Sequence, residues 1–167
     1  RRKPMKNKKT LYLVQAAMIA ALYVVLTLLA NAFGLASGAI QIRLSEMLSV
    51  LPFFTPAAIP GLFVGCMLSN FITGACLLDI VLGSFATLIG AVGAYLVRRN
   101  KWLVPIPNIV SNTIIVPLVL MFGYHLEDAF WYLALTVGIG EIISGGVFGM
   151  ILLFALKKYA ARIFRTA

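Results

Sequence analysis

The sequence predicts an all-α integral membrane protein: a single bundle of six transmembrane helices with both termini in the cytoplasm. Three observations carry this. Of 167 residues, 62% are hydrophobic and only 11% charged, with a mean hydropathy of +1.00. That is too little polar surface to cover a water-soluble domain of this size. Apolar runs of the length that crosses a bilayer, about 20 residues, recur along the chain. All but one of the 14 Lys and Arg residues fall at the two ends or in the stretch 98–101, Arg43 being the exception. Six spans place those three stretches on one side, and the positive-inside rule makes that side the cytoplasm. The net charge of +9 is therefore a topology signal, and no nucleic-acid partner is expected.

Residues 1–10 are a basic cytoplasmic segment; Met5 reads as the natural start, with residues 1–4 an addition ahead of it. The first span runs from Leu11 to about Phe33, too long for a signal-peptide core. Within it Ala16 and Ala20, and likewise Ala17 and Ala21, repeat at four-residue spacing. Small residues so spaced make a flat face that another helix can approach, within the bundle or on a partner. Residues 34–45 form an outer loop, with Gly34 and Gly38 marking a turn. The apolar stretch 47–78 is too long for one span and barely enough for two, and Pro52, Pro56 and Pro60 interrupt it. Two short helices are expected there, about 46–58 and 60–76, joined by a tight turn near the cytoplasmic side. Such backbone survives at membrane depth only when buried in protein.

Asp79 opens a fourth span reaching about Val97, its charge suiting the positive end of the helix dipole. Arg98, Arg99 and Lys101 stop it. A fifth span runs from about Leu103 to Phe122 and a sixth from about Ala129 to Leu156, before the basic cytoplasmic segment 157–167. Residues 11–156 thus read as one transmembrane domain. No repeat relates its halves, which disfavours an inverted-repeat transporter.

The five acids are Glu46, Asp79, Glu127, Asp128 and Glu141. Glu141 lies about 18 Å down the last span, where an ionisable group is costly and functional by default; the alternative is a carboxyl paired with a neighbouring Ser or Asn. Asn70 and Asn112 fall at comparable depth, and buried amides need partners. Asn112 either satisfies Glu141 or reads a ligand, whereas Asn108, one turn away, is expected to cap or pack. Gln41, Arg43, Glu46 and Asp79 lie nearer the outer face. Arg43 and Glu46, three residues apart, either pair at the rim, worth at most about 1 kcal/mol, or meet a ligand. Trp131, Tyr132 and Tyr124 sit where aromatic belts are common, and His125 lies in an exposed loop. Cys66 and Cys76 read as small buried hydrophobes. With no P-loop, no metal-ligand cluster and no base placed to activate a serine, catalysis is not expected. Neither is a cofactor or a metal. Binding and permeation remain.

The most specific stretches are Ile-Gln-Ile-Arg-Leu-Ser-Glu at 40–46, Leu-Pro-Phe-Phe-Thr-Pro-Ala-Ala-Ile-Pro-Gly at 51–61, Asn70, and Asp-Ile-Val-Leu-Gly-Ser-Phe-Ala-Thr-Leu at 79–88. In these the chain resembles the queuosine-precursor transporters of the QueT type, the substrate-binding (S) components of energy-coupling factor (ECF) transporters. The likeness extends from Leu11 to about Tyr159. It implies partners on other chains, a transmembrane coupling protein (T component) and two ATPases, which agrees with the missing P-loop. It also implies docking of the coupling protein on Ala16, Ala17, Ala20 and Ala21. The implied cargo is a 7-deazaguanine captured from outside a bacterial cell membrane and delivered by toppling of the subunit. A carboxylate of Glu141, Glu46 or Asp79 would accept the adjacent N–H donors of such a base in a bidentate pair. Asn70, Asn112 or Gln41 would read the carbonyl and pyrrole edge, and Phe85 or Trp131 would stack on the plane. A second acid would meet an aminomethyl cation. The alternatives are another small vitamin or nucleobase on the same scaffold, or a membrane assembly or sensory protein without cargo. An outward pocket lined by Glu46, Asn70, Asp79 and Glu141 favours cargo; a closed bundle with Glu141 bonded to Asn112 favours the last reading.

Overall fold

Lys8–Ala32 contains neither Gly nor Pro and forms one uninterrupted 25-residue helix, α1. It ends where Gly34 takes φ +69°, a left-handed backbone that costs a side-chain-bearing residue more than glycine. The computed structural model describes residues 8–35 and 40–164. The proposed start at Met5, the Gly38 turn and Arg165 lie outside them. After α1 come a 3-10 helix at Leu44–Phe53, α2 at Ala58–Ile72 and α3 at Asp79–Leu96. They are followed by α4 at Ile106–Gly123, α5 at Phe130–Lys157 and the one-turn α6 at Ala160–Ile163. No strand occurs among the described residues. Four helices, α1, α3, α4 and α5, are long and apolar enough to cross a membrane, while the 3-10 helix and α2 are shorter apolar elements.

The pair expected at 46–58 and 60–76 is thus a 3-10 helix and a shorter α-helix. Pro52 lies inside the first, and Pro56 follows it in the connection. Neither proline has an N–H to donate, and the tighter 3-10 winding ends at Phe53. A ten-residue 3-10 helix is long for its kind, and packing explains its survival: from Ser45 to Pro52 only Met47 is not fully buried. It lies against α5, where a Cβ on Gly140 would collide with the Gln41 carbonyl, and one on Gly149 would lie 3.0 Å from Val50 Cγ1.

α1 packs on α2. A Cβ on Gly65 would stand 2.7 Å from Tyr23 Cβ and 3.0 Å from the Ala20 Cα, and one on Gly61 would stand 2.7 Å from the Ala16 carbonyl. The two alanine pairs therefore separate. Ala16 and Ala20 meet α2, whereas Ala17 and Ala21 are exposed. Beyond this contact α3 packs on α4 and α4 on α5, with the 3-10 helix wedged among α1, α3 and α5.

One end of the bundle gathers the start of α1 and the end of the described chain. Thr55 donates to Gln15 Oε1 at 2.9 Å, and Phe164 stacks on Phe54 at 5.0 Å. Lys101 reaches the Phe154 ring at 4.9 Å, bringing the 98–101 stretch to the same end. Among the described residues every Lys and Arg except Arg43 is gathered there.

Candidate functional site

The opposite end opens into a chamber of about 400 Å³ between α1, α2, the beginning of α3 and the end of α4, a volume in the range of small-molecule sites. Four of the residues singled out by sequence line it: Gln41, Arg43, Asn70 and Asp79. Arg43 sits in extended backbone (φ −98°, ψ 99°) just ahead of the 3-10 helix. Asp79 begins a π-turn over Asp79–Gly83 that opens α3, and such wide turns recur at functional sites.

Asp79 is 4% exposed and held from three directions. The Tyr124 hydroxyl donates to Oδ2 at 3.0 Å. Arg43 Nη2 lies 4.0 Å from the same oxygen. Asn70 Nδ2 donates to the Asp79 backbone carbonyl at 3.1 Å, fixing the π-turn. The other carboxylate oxygen, Oδ1, is buried without a hydrogen-bond partner. Burial would lower the Arg43 pKa, but neighbouring charge, with Asp79 foremost, holds it above its ordinary value. The Tyr124 phenol is pushed up to about 12, first by burial and then by the Asp79 charge; it stays protonated and able to donate at neutral pH.

A second polar group lies deeper. Tyr23, a wall of the chamber, donates its hydroxyl to Glu46 Oε1. Asn108 Nδ2 donates to Glu46 Oε2 at 2.8 Å and to Glu141 Oε2 at 3.3 Å. Glu46 and Glu141 are 1% and 5% exposed, so one amide joins two acids out of contact with solvent. Asn112 lies beside Glu141 with its Nδ2 outside hydrogen-bonding geometry. Ser49 and Ser144 are likewise buried with unpartnered hydroxyls. Glu141 ends the first α-helical part of α5, immediately ahead of a wide turn over Ile142–Phe148.

The structure thus divides the expected site residues. Gln41, Arg43, Asn70 and Asp79 share the chamber; Glu46, Asn112 and Glu141 belong to the buried cluster behind it. Phe85 is in neither, packing on Phe63 at 5.7 Å on the outer surface. Trp131, 81% exposed, lines a separate apolar groove between α4 and α5. Their aromatic surface faces outward because α3 and α5 turn their small residues, Ala86, Ala91 and Gly140, inward. Of the two alternatives for Arg43 and Glu46, the rim pair does not form, because Glu46 points inward while Arg43 engages Asp79. Asn108, expected to cap or pack, instead bridges the acids. Tyr23 was missed, and Tyr124 was placed only in an aromatic belt. Tyr23 continues the Ala16–Ala20 face by three residues, a helical spacing legible in sequence; nothing local ties Tyr124 to Asp79.

No carboxylate here presents two free oxygens. Each oxygen of Glu46 has a partner, Glu141 shares one with Asn108, and Asp79 Oδ2 is taken. A bidentate base contact of the kind expected of these acids would require an oxygen that already has a partner to accept a second hydrogen bond or to change partners. Among the described residues no group of His, Cys, Asp and Glu could hold a metal ion.

Comparison with known proteins gives concordant findings. A family model described as QueT transporter matches residues 13–158. The queuosine precursor transporter QueT of Lactococcus lactis subsp. cremoris (strain MG1363) is 40% identical over 98 residues, covering 58% of this chain. The match spans 57% of that relative's length. No solved structure matches.

Proposed function

The chain belongs to the QueT transporter family, and from that premise we propose that it is the substrate-capture (S) subunit of an ECF-type importer for a queuosine precursor. The single observation that carries the reading is the chamber. It opens at the end away from the basic residues, has the volume of a small-molecule site, and is walled by Gln41, Arg43, Asn70 and Asp79. The cargo is a 7-deazaguanine, whether nitrile, amine or free queuine base. Its donor edge is read by the side-chain carbonyls of Gln41 and Asn70, and Tyr23 offers the aromatic wall.

In the proposed topology the 3-10 helix and α2 complete six passes with the four long helices. Residues 11–156 are the membrane domain, the basic segments 1–10 and 157–167 face the cytoplasm, and the chamber faces outward in a bacterial cell membrane. Energy comes from two ATPases on separate chains through a coupling protein. Ala17 and Ala21 form the alanine surface left open for that protein, Ala16 and Ala20 being engaged by α2. Replacing both Ala17 and Ala21 by Leu is then expected to abolish cellular uptake while leaving cargo binding by the isolated subunit unchanged.

Calorimetric titration of the purified protein with 7-deazaguanine precursors, with guanine and riboflavin as controls, tests the cargo. Saturable binding of a precursor and not of the controls is expected. A folded protein that binds no deazapurine would return the cargo to unknown.

A further inference from the structure

The basic end of the bundle carries cations without carboxylate partners. Among the described residues the one ion pair is Arg43 with Asp79, in the chamber at the opposite end. The five acids of the chain all lie elsewhere: Asp79 and Asp128 line cavities with Gln41, Glu127 adjoins Asp128, and Glu46 and Glu141 are buried inside the bundle. The anions that neutralise the basic end therefore come from outside the chain.

Lys101 shows where one of them fits. Among the described residues it is the one cation of that end that is half-buried; the others are exposed. Its Nζ stands 4.9 Å from the centre of the Phe154 ring on α5 and 5.4 Å from that of Trp102, and the two rings meet edge to face at 5.6 Å. Lys158 follows Phe154 by four residues in backbone that is still helical (φ −63°, ψ −32°), so it rises from the same face one turn further on. Trp102 and Phe154 are not covered by the bundle, being 61% and 41% exposed. Ile151 and Val147, three and seven residues before Phe154 and both exposed, continue that face toward the bilayer interior. Two ammonium groups thus flank an open aromatic pair from which an apolar stripe descends.

A soluble anion would meet the ammonium groups and leave the rings and stripe bare. A lipid without net charge would cover the stripe and leave the cations uncompensated. A phospholipid with a net negative headgroup matches both halves, and basic residues at the membrane surface attract such headgroups. We propose that this patch binds an anionic phospholipid: Lys101 and Lys158 receive its phosphate, Trp102 and Phe154 its glycerol backbone, and Ile151 and Val147 an acyl chain. The inference rests on the membrane topology and is independent of the cargo.

The two tryptophans of the chain, Trp102 and Trp131, lie at opposite ends and allow a direct test. Trp131→Phe leaves Trp102 as the sole reporter in the patch, and Trp102→Phe leaves Trp131 as the control. Each full-length variant is reconstituted in phosphatidylcholine vesicles containing phosphatidylglycerol or phosphatidylcholine with brominated acyl chains, which quench tryptophan on contact. Brominated phosphatidylglycerol is expected to quench Trp102 with an apparent affinity at least about fivefold above that of brominated phosphatidylcholine, the size of one lysine beside an anionic headgroup. Trp131 should be quenched equally by both. Adding Lys101→Gln and Lys158→Gln to the Trp131→Phe protein should bring the ratio at Trp102 to about one. Should that variant fail to fold, Lys158→Gln alone, at an exposed position, is expected to lower the ratio by at least about twofold. Equal quenching of Trp102 by the two lipids overturns the proposal. A preference of the same size at Trp131, or one that survives the lysine substitutions, reduces it to a diffuse attraction and overturns the assigned patch.

Discussion

Asp79 and Glu46 are both buried acids, one in the chamber wall and one just behind it, and they are held in opposite ways. Glu46 has a donor on each oxygen, Tyr23 on one and Asn108 on the other. Asp79 has Tyr124 and Arg43 converging on Oδ2, and nothing on Oδ1. An acid whose oxygens are all occupied contributes to the structure whether or not a ligand arrives. An acid fixed in position with one oxygen bare keeps acceptor capacity that its own fold leaves unused. The same residue type is thus saturated in one place and half open in the other, and the distinction lies in the neighbours.

Substitutions can break this comparison. The largest effect is expected from Asn108→Leu, which strips the shared donor from Glu46 and Glu141. Loss of about 3 kcal/mol of stability is expected, read as a lowered thermal midpoint in detergent; an unchanged midpoint would mean that the cluster is not scaffold. Next comes Gly65→Val, which forces side-chain atoms into Tyr23 and Ala20 and should cost about 2 kcal/mol in the same assay. Tyr23→Phe removes one hydrogen bond to Glu46 and should cost about 1.5 kcal/mol. Gln41→Ala should behave in the reverse manner, with an unaltered midpoint and cargo affinity weakened about tenfold. The smallest effects belong to Phe85→Leu and Trp131→Leu. Neither should shift cargo affinity measurably, and a large loss at either would place base stacking outside the chamber.

The sequence carried much of the fold. Apolar runs located the elements to within a few residues, because burial in lipid or protein demands continuous hydrophobicity. The winding at 44–53 was misjudged, and of the six spans expected four are long and apolar enough to cross a membrane: a 3-10 helix and an α-helix demand the same apolar composition, and the choice was made by prolines acting with the glycines of α5. The candidate site was half legible. Gln41, Arg43, Asn70 and Asp79 stood out because polar groups are rare in such a chain. Phe85 and Trp131 misled because every apolar helix carries aromatics, and their direction depends on which face meets neighbouring helices.

Composition alone determined that this is a membrane-embedded helical protein, since charge and hydropathy are sums over residues and need no coordinates. The segregation of Lys and Arg was equally legible, requiring only their order along the chain. Which acid is saturated and which is bare was decided by the tertiary structure alone. Tyr23, Asn108 and Tyr124 lie 23, 62 and 45 residues from the acids they bond. A hydrogen bond between such distant groups exists only once helix packing has brought donor and acceptor within about 3 Å.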